Sequence, residues 1–513
     1  MSIRLFRRFS THSICAASLC AALSVLGSCK TDAAKPAPGS DAGGVSDASK
    51  QRDAASIADG AADSDAGVAA HVPTATQLMS GGDCPPPSGA GTVHADNITA
   101  DETWTAAASP HHIDSDIRIS ATVKVEACAV VVLGKGVTLQ VGGSTAQEAG
   151  TLQTRGLFSA GTGSSPDVVK PVVFRSAADD QHWNSLRVQP NGKADLELTL
   201  LANGGDPSAA QNGGGALLAV GNNDGTLTKN LRASKLYILG SSGYGVNLSV
   251  GSGFTDDSSD VVVRQCGGSA APEPVSVDVP GVGTLPSGLY DQNMKDEIVV
   301  NTRLQVNGDE VFHALHVPYR VEGALYLRPK TPATIATLTL EPSVVLKLTD
   351  RIIIGDGGSS MPYRASLIAQ GTKDEPIVFT SAKATPAPGD WTGLIFEGMT
   401  TTGSALEYAT IEYAGGSSQT SSYGCGPKNN DAAVIILNER PSTSFITHST
   451  FRHNAGESTI VSGWVSDASG PNLVQTNTFA DTGGSSGTGC LQSLWRSTAA
   501  NYCPSGTGPF CAP

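Results

Sequence analysis

An internal repeat constrains the fold of this chain more than any other feature. Asp101 aligns with Asp309 and Trp183 aligns with Trp391, each pair 208 residues apart. Further matches keep the same order, with offsets that drift in Gly- and Ser-rich loops. They begin at Pro110 and Pro318, Leu139 and Leu346, Pro171 and Pro376, Leu196 and Leu406, and Leu231 and Ile446. Matches in a constant order indicate duplication, so we predict two equivalent halves.

Short apolar runs separated by Gly, Asn, Asp and Ser fill both halves. Residues 344–348 and 406–411 alternate apolar with polar side chains, which predicts strands with one buried face. Val130–Leu133 is apolar throughout, which predicts a strand covered on both sides. The runs recur about every 20–25 residues, a length typical of one solenoid turn. Charged residues are only 16% of the chain and glycines number 59, which favours short strands with tight turns.

The most regular part of the pattern lies between residues 338 and 416. Its runs are Leu338–Pro342, Val345–Lys347, Leu367–Thr372, Pro376–Ser381 and Gly389–Leu394. They resemble the right-handed parallel β-helix of many bacterial surface lipoproteins and of the pectate-lyase-like superfamily. The resemblance covers most of residues 93–463, although Gln181–Trp183 departs from it. We therefore expect an all-β, right-handed parallel β-helix solenoid of two duplicated halves. A two-sheet sandwich is the alternative fold.

The N-terminus has the layout of an export signal. Arg4, Arg7 and Arg8 precede an apolar run from Ile14 to Leu26. Leu26–Cys29 resembles the lipobox of bacterial lipoproteins, which implies cleavage before Cys29 and a lipid on its sulfur. The lipid would hold the protein to a membrane surface in the bacterial cell envelope, and Lys30 is compatible with the outer membrane. An ordinary secretory signal with a chance cysteine is the alternative.

These features divide the chain into six predicted segments. The second of them lacks large apolar side chains, so it cannot offset the entropy of ordering and is expected to be a disordered stalk. The segments are a signal peptide (1–28), an Ala/Gly/Ser/Asp-rich linker (29–80), a first β-helix half (81–250), a connection (251–302), a second half (303–463) and a cysteine-bearing cap (464–513).

Seven cysteines follow Cys29. An oxidising compartment favours disulfides over metal sites for such residues. We predict the pairs Cys84–Cys128, Cys503–Cys511 and Cys425–Cys490, which would leave Cys266 over. Spacing does not prove this connectivity.

Few polar residues form a catalytic pattern. The resemblance implies enzymes that use Asp-bound calcium with a basic residue, or clustered Asp residues. We interpret the acidic candidates as turn residues, so no catalytic residue, metal or cofactor is predicted. Trp183 and Trp391 could stack on a sugar ring, but an aromatic that recurs in a repeat is more typical of packing. The acidic candidates are Asp179, Asp180, Asp256, Asp257, Asp260 and Asp390.

The net charge of −14 disfavours nucleic acid as a partner. We predict a membrane-anchored, non-catalytic β-helix that binds a glycan or an envelope protein. A polysaccharide lyase or hydrolase and a passive spacer are the alternatives. An enzyme should show acidic and basic side chains that converge in a groove, whereas a scaffold should show scattered charges.

Overall fold

A computed structural model describes most of the chain from residue 73 onward. The described residues are 73–162, 165–206, 214–222, 224–356, 362–398, 403–418, 431–437, 441–456, 458–463, 471–482, 490–498 and 501–504. The predicted signal peptide, Cys29 and the linker up to residue 72 lie outside them. No helix among the described residues is long and apolar enough to cross a membrane.

The chain forms a solenoid of stacked parallel strands, as the sequence predicted. A 13-stranded sheet, here called the long wall, runs through both halves. At about 4.8 Å between neighbouring strands, it extends for about 60 Å. Numbered in chain order, its strands are β4 (Ile117–Ile119), β7 (Thr138–Val141), β12 (Ser185–Val188), β14 (Leu217–Val220), β16 (Val246–Ser249), β19 (Val275–Asp278), β21 (Ile298–Asn301), β23 (Tyr319–Glu322), β26 (Val345–Leu348), β29 (Ile377–Ser381), β32 (Ala409–Glu412), β35 (Thr450–Arg452) and β37 (Thr478–Ala480).

A 12-stranded sheet, the first-half wall, closes the solenoid before residue 290. Its longest strands bend at Leu198 and Lys235, whose positive φ angles of 40° and 54° turn the chain within one residue. The wall therefore has an N-terminal and a C-terminal part with a corner between them. Its strands are β1 (Thr92–Val93), β2 (Glu102–Trp104), β3 (His111–Ile113), β5 (Thr122–Glu126), β6 (Val130–Leu133), β8 (Gly150–Arg155), β11 (Val172–Ser176), β13 (Gly192–Ala202), β15 (Thr228–Leu239), β17 (Ser252–Phe254), β18 (Ser259–Arg264) and β20 (Gly288–Leu289).

Two further sheets close the solenoid in the second half. The five-stranded wall contains β22 (Asp309–Phe312), β25 (Ile335–Leu340), β28 (Arg364–Gln370), β31 (Ala405–Glu407) and β34 (Ile446–Thr447). The seven-stranded wall contains β24 (Leu325–Leu327), β27 (Arg351–Ile354), β30 (Gly393–Phe396), β33 (Val434–Leu437), β36 (Ser458–Gly463), β38 (Cys490–Thr498) and β39 (Asn501–Pro504). Alternating residues of all walls point inward and form one continuous apolar core.

One wall of the solenoid lies on different sides of the long wall in the two halves. In the first half the chain leaves the long wall, crosses both parts of the first-half wall and returns. In the second half it leaves the long wall, crosses the seven-stranded and then the five-stranded wall, and returns. The 3₁₀ helix Val279–Thr284 packs on both β17 and β22, so it joins the first-half wall to the five-stranded wall. The C-terminal part of the first-half wall ends at β20, which leaves an open corner on the following coils.

This change of side places the aligned segments at Pro110, Pro171 and Trp183 on a different wall in the second half. Trp183 precedes β12 of the long wall, whereas Trp391 precedes β30 of the seven-stranded wall. Other pairs keep their side: Leu139 and Leu346 both lie on the long wall. Leu196 and Leu406 lie on the first-half wall and the five-stranded wall, which the 3₁₀ helix joins. Duplication stays a prediction from the sequence.

The N-terminal residues of the described chain form a strap on the outer face of the first-half wall. Helix α1 (Ala75–Met79) begins with a capping box at Thr74, and its Leu78 is fully buried. Leu78 belongs to an apolar cluster that includes Val173 and Leu200. The hydroxyl of Tyr237 donates a hydrogen bond to the carbonyl oxygen of Pro73 (2.5 Å). The antiparallel hairpin of β9 (Leu157–Ser159) and β10 (Val168–Lys170) lies against the same cluster.

The strap confirms one prediction and corrects another. Val130 packs under this outer cluster while Val131 faces the core, so the apolar strand is covered on both sides, as expected. The disordered linker was predicted to reach residue 80, but residues 73–80 belong to the fold. The prediction rested on the overall polar composition of residues 29–80, and it overlooked Leu78, whose side chain is buried.

The structure contains the disulfide Cys84–Cys128, which ties the strap to the first-half wall. Cys266 is buried and has no disulfide partner among the described residues, and burial raises the pKa of its thiol to about 12. Cys425 and Cys511 lie outside the described residues, and the side chains of Cys490 and Cys503 are likewise not described. The other two predicted pairs therefore stay predictions.

Turn length and the C-terminal boundary also differ from expectation. Consecutive long-wall strands begin at Ile298 and Tyr319, 21 residues apart, but also at Thr138 and Ser185, 47 residues apart. Long loops leave the solenoid without disturbing the ladder, so a uniform turn of 20–25 residues is wrong. The walls also continue beyond residue 463, because β37 and β38 extend the long and seven-stranded walls.

Candidate functional site

Both repeat tryptophans are packing residues. Trp183 and Trp391 are 0% and 1% exposed. Each indole Nε1 donates a hydrogen bond of 2.8 Å to a backbone carbonyl of the next coil, on Ala202 and Glu412 respectively. A Cβ on Gly204 would lie 2.9 Å from the Trp183 ring, so this position needs glycine. The interpretation of the pair as glycan-stacking residues is wrong, because neither ring presents a face to solvent.

The acidic candidates are engaged as turn or ladder residues. Asp390 accepts hydrogen bonds from Ser381 Oγ (2.7 Å), Lys383 Nζ (2.7 Å) and the Ala387 amide (2.8 Å). Burial opposes ionisation of Asp390, but these donors hold its pKa below the usual value. The turn interpretation of this residue is confirmed.

A ladder of ion pairs holds the other acidic cluster. Asp256, Asp257 and Asp260 each face a basic side chain of strand β15, which are Lys229, Arg232 and Lys235 in that order. Asp179 and Asp180 are exposed in a turn. Calcium takes six to eight converging oxygen ligands, so carboxylates neutralised one by one do not fit it. No group of three or more His, Cys, Asp or Glu in the described ranges could hold a metal ion.

A cleft of about 400 Å³ opens where the first-half wall ends. It forms because β20 is the last strand at that corner, so the next coils pass directly from the five-stranded to the long wall. Successive coils contribute the turns after β17, after the helix Val279–Thr284, after β22 and after β25. The residues that line the cleft include Thr255, Ser258, Gly283, Ser287, His313 and Glu341.

A histidine–glutamate pair lies in this cleft. His313 Nδ1 is 2.9 Å from Glu341 Oε1, and the Ala314 amide donates to Glu341 Oε2 (2.8 Å). Burial alone would raise the pKa of Glu341, but the bonds from His313 and Ala314 hold it below its ordinary value. His313 Nε2 is 3.3 Å from the carbonyl oxygen of Gly283. Both ring nitrogens therefore face acceptors within the protein.

Glu310 is a second unusual carboxyl nearby. It shares the inward face of β22 with Phe312 and lies opposite the buried Leu338. Its Oε1 accepts a hydrogen bond of 2.7 Å from the Gly283 amide, and burial raises its pKa to about 7. Glu310 lines a different groove, beside Thr226 and Lys330. The carboxyls of Glu310 and Glu341 thus do not share one cleft, as a pair of glycosidase carboxylates would.

The outer face of the long wall carries a network of charged side chains from several coils. Arg320 Nη2 lies 2.6 Å from Glu273, and its Nε lies 3.3 Å from Glu297. Lys295 (2.7 Å) and Lys347 (2.5 Å) also bind Glu297. Burial would raise the pKa of Glu297, but the two ammonium groups hold it below the usual value. The buried carboxylates are thus neutralised across neighbouring coils.

Sequence reasoning could not find these groups. Glu273, Glu297 and Arg320 lie on different coils, and the cleft needs four turns in register. Periodicity indicates which face a residue takes, but not its neighbour on the next coil.

The comparison with protein families agrees with this architecture. Residues 308–436 match the pectate-lyase like beta helix domain. They span β22 to β33, where the long, seven-stranded and five-stranded walls stack regularly. No curated protein and no solved structure matches the chain. The described chain is therefore a parallel β-helix, and its residues 308–436 are similar to the pectate-lyase like beta helix domain.

Proposed function

We propose that this protein is a lipid-anchored envelope protein whose β-helix presents a non-catalytic binding surface for a glycan or an envelope protein. The observation that carries the proposal is the network on the outer face of the long wall. Arg320, Lys295 and Lys347 are held by buried carboxylates, so their charges form a fixed pattern. A catalytic acid or base must exchange a proton with the substrate, which ion-paired groups do poorly.

Cleavage is the alternative that the fold leaves open, because β-helices support both binding and catalysis. The groups that come nearest to an acid–base pair are Glu310 and Glu341, and they line separate grooves. This separation favours binding.

Binding without turnover is the first expected result. The full-length protein should retain envelope polysaccharides in a glycan-array or pull-down measurement, because the long wall offers a rigid, pre-ordered surface that loses little entropy on binding. The same mixtures, followed by size-exclusion chromatography of the polysaccharide, should show no shortening. Release of reducing or unsaturated ends would identify an enzyme, and absence of any retained glycan or envelope protein would contradict the binding role.

Anchoring is the second expected result. Replacing Cys29 with alanine removes the sulfur that would carry the lipid, so we expect the protein to move from the membrane fraction to the soluble fraction. Each buried CH₂ contributes about 0.8 kcal/mol, and several acyl chains hold firmly. Cys20→Ala is the matched control, since Cys20 lies within the apolar run and should not affect fractionation. A Cys29→Ala protein that stays in the membrane fraction would contradict the lipid anchor.

A further inference from the structure

A polar groove of about 280 Å³ lies on the outer face of the long wall near its N-terminal end. Strands β4, β7 and β12 form its floor. The residues that line it include Asn97, Asp116, Arg118, Thr138, Gln140 and Arg187. The ion-pair network around Arg320 lies on later strands of the same wall.

Strand register places three of these side chains in one column. Arg118 is opposite Gln140, and Gln140 is opposite Arg187. Neighbouring strands are about 4.8 Å apart, so the two guanidinium-bearing positions are about 10 Å apart. On each strand the neighbouring residues take the opposite face and point into the core, as Leu139 and Leu186 do. The column therefore faces outward along the groove.

The two arginines differ in their partners. Arg118 Nη1 binds Glu148 (2.6 Å) and its Nε donates to Ser120 Oγ (3.2 Å). Arg187 makes no ion pair with any residue that the structure describes, and its buried Nε has no hydrogen-bond acceptor. Other described arginines without an acidic partner, such as Arg175, are exposed.

A second unpartnered group lies beside Arg187. Ser185 is on the same outward face, two residues earlier on β12, and is 1% exposed. Its hydroxyl has no hydrogen-bond partner. A buried polar atom without a partner costs about 1–3 kcal/mol, and a partly buried unpaired cation costs more. Strand β12 thus carries a cation and a hydroxyl that the protein itself does not satisfy, and of the two only Arg187 lines the groove.

The neighbouring polar groups are already engaged. Asp116 Oδ1 accepts the Thr138 amide (2.7 Å), and Thr138 Oγ1 accepts from Asn184 Nδ2 (2.8 Å). Asn97 Oδ1 accepts the Arg118 amide (2.8 Å). These bonds fix the groove around Arg187 and leave its guanidinium as the free donor. The carboxylate of Asp116 disfavours a bare anion and is suited to accept a hydroxyl group of a ligand.

We propose that this groove binds the oxyanion of a hydroxyl-rich ligand, with the carboxylate, sulfate or phosphate group on Arg187. A planar guanidinium takes two oxygens of such a group at once, which gives both energy and orientation. The inference deepens the proposed function, because it names a ligand chemistry for the same wall.

Titration of the full-length protein with sodium glucuronate tests the site. Glucose 6-sulfate, glucose 6-phosphate and glucose are used in parallel at constant ionic strength, by calorimetry and thermal melting. We expect the charged sugars to bind and to raise Tm, and glucose to do neither. A response to glucuronate alone identifies a carboxylate ligand, whereas equal responses identify a general oxyanion site. If none of the three anions binds, the proposal is wrong.

Substitution of Arg187 separates a ligand site from a structural role. In Arg187→Met we expect at least tenfold weaker binding and a Tm without ligand that is no lower than in the wild type, because an unpaired cation is removed. Arg187→Lys keeps the positive charge but lacks the planar guanidinium that can hold two oxygens, so it should bind with intermediate strength. Arg175→Met, on the first-half wall, is the matched control and should bind as the wild type does. Unchanged binding by Arg187→Met would overturn the proposal.

The same samples distinguish this inference from the proposed function. A wild type that retains envelope glycans but no charged sugar contradicts the oxyanion site alone. One that binds glucuronate but retains no envelope component contradicts the proposed function and leaves the oxyanion site standing.

Discussion

Replacing Trp391 with alanine is expected to lower the free energy of unfolding by about 3–5 kcal/mol, the usual cost of removing a large aromatic from a core. The ring is 1% exposed, and its Nε1 donates to the Glu412 carbonyl at 2.8 Å. The substitution leaves a cavity and removes the indole's hydrogen bond between two coils. Denaturant unfolding, followed by circular dichroism, measures the loss.

Trp183→Ala should cost a similar amount, because its indole makes the equivalent bond to Ala202. Trp391→Phe is the matched control: it keeps a large aromatic ring, and we expect the lost hydrogen bond to cost about 0.5–1.5 kcal/mol. Each coil contacts only its neighbours, so hydrogen exchange should increase around the substituted coil first. A loss below about 1 kcal/mol in Trp391→Ala would contradict the packing role.

These tryptophans show how much of the fold the sequence predicts. An aromatic at the same place in both halves indicated a packing position, and alternation along strands such as β25 indicated one buried face. Both follow from local geometry, because side chains on a strand alternate with a period of two. Periodicity and strand spacing therefore indicated a solenoid of half-buried strands, whereas the parallel β-helix was expected from the resemblance to known β-helix proteins.

Other features depend on which coil lies next to which. The change of side of one wall and the cleft at His313 arise from stacking, and loops of unequal length hide that register. Arg187 illustrates the same limit, since an arginine on the polar face of β12 looks ordinary in sequence. Arg187 is unusual because no acidic side chain on the neighbouring strands forms an ion pair with it. The surfaces that we propose for binding are thus set between coils rather than within them.

Replacing Glu310 with glutamine is expected to stabilise the protein by about 3 kcal/mol at pH 8 and to have little effect at pH 4. Burial raises the pKa of Glu310 from 4.5 to about 7 in the folded state. The folded state therefore favours the protonated carboxyl, so its contribution to stability is full below pH 4.5 and is lost as the pH rises through 7. A difference of 2.5 in pKa corresponds to about 3 kcal/mol. Glutamine stays neutral and keeps an acceptor for the Gly283 amide.

Glu341→Gln is the control with the opposite sign. Hydrogen bonds from His313 and the Ala314 amide lower the pKa of Glu341 despite its burial, so the ionised carboxylate stabilises the fold at neutral pH and this contribution is lost as the pH falls. Glu341→Gln should therefore destabilise the protein at pH 8 and approach the wild type in acid. Urea unfolding of the three proteins between pH 4 and 8 measures both trends. If the Glu310→Gln difference were the same at both ends of this range, the carboxyl would not be buried in its neutral form, and the inward placement of Glu310 on β22 would be wrong.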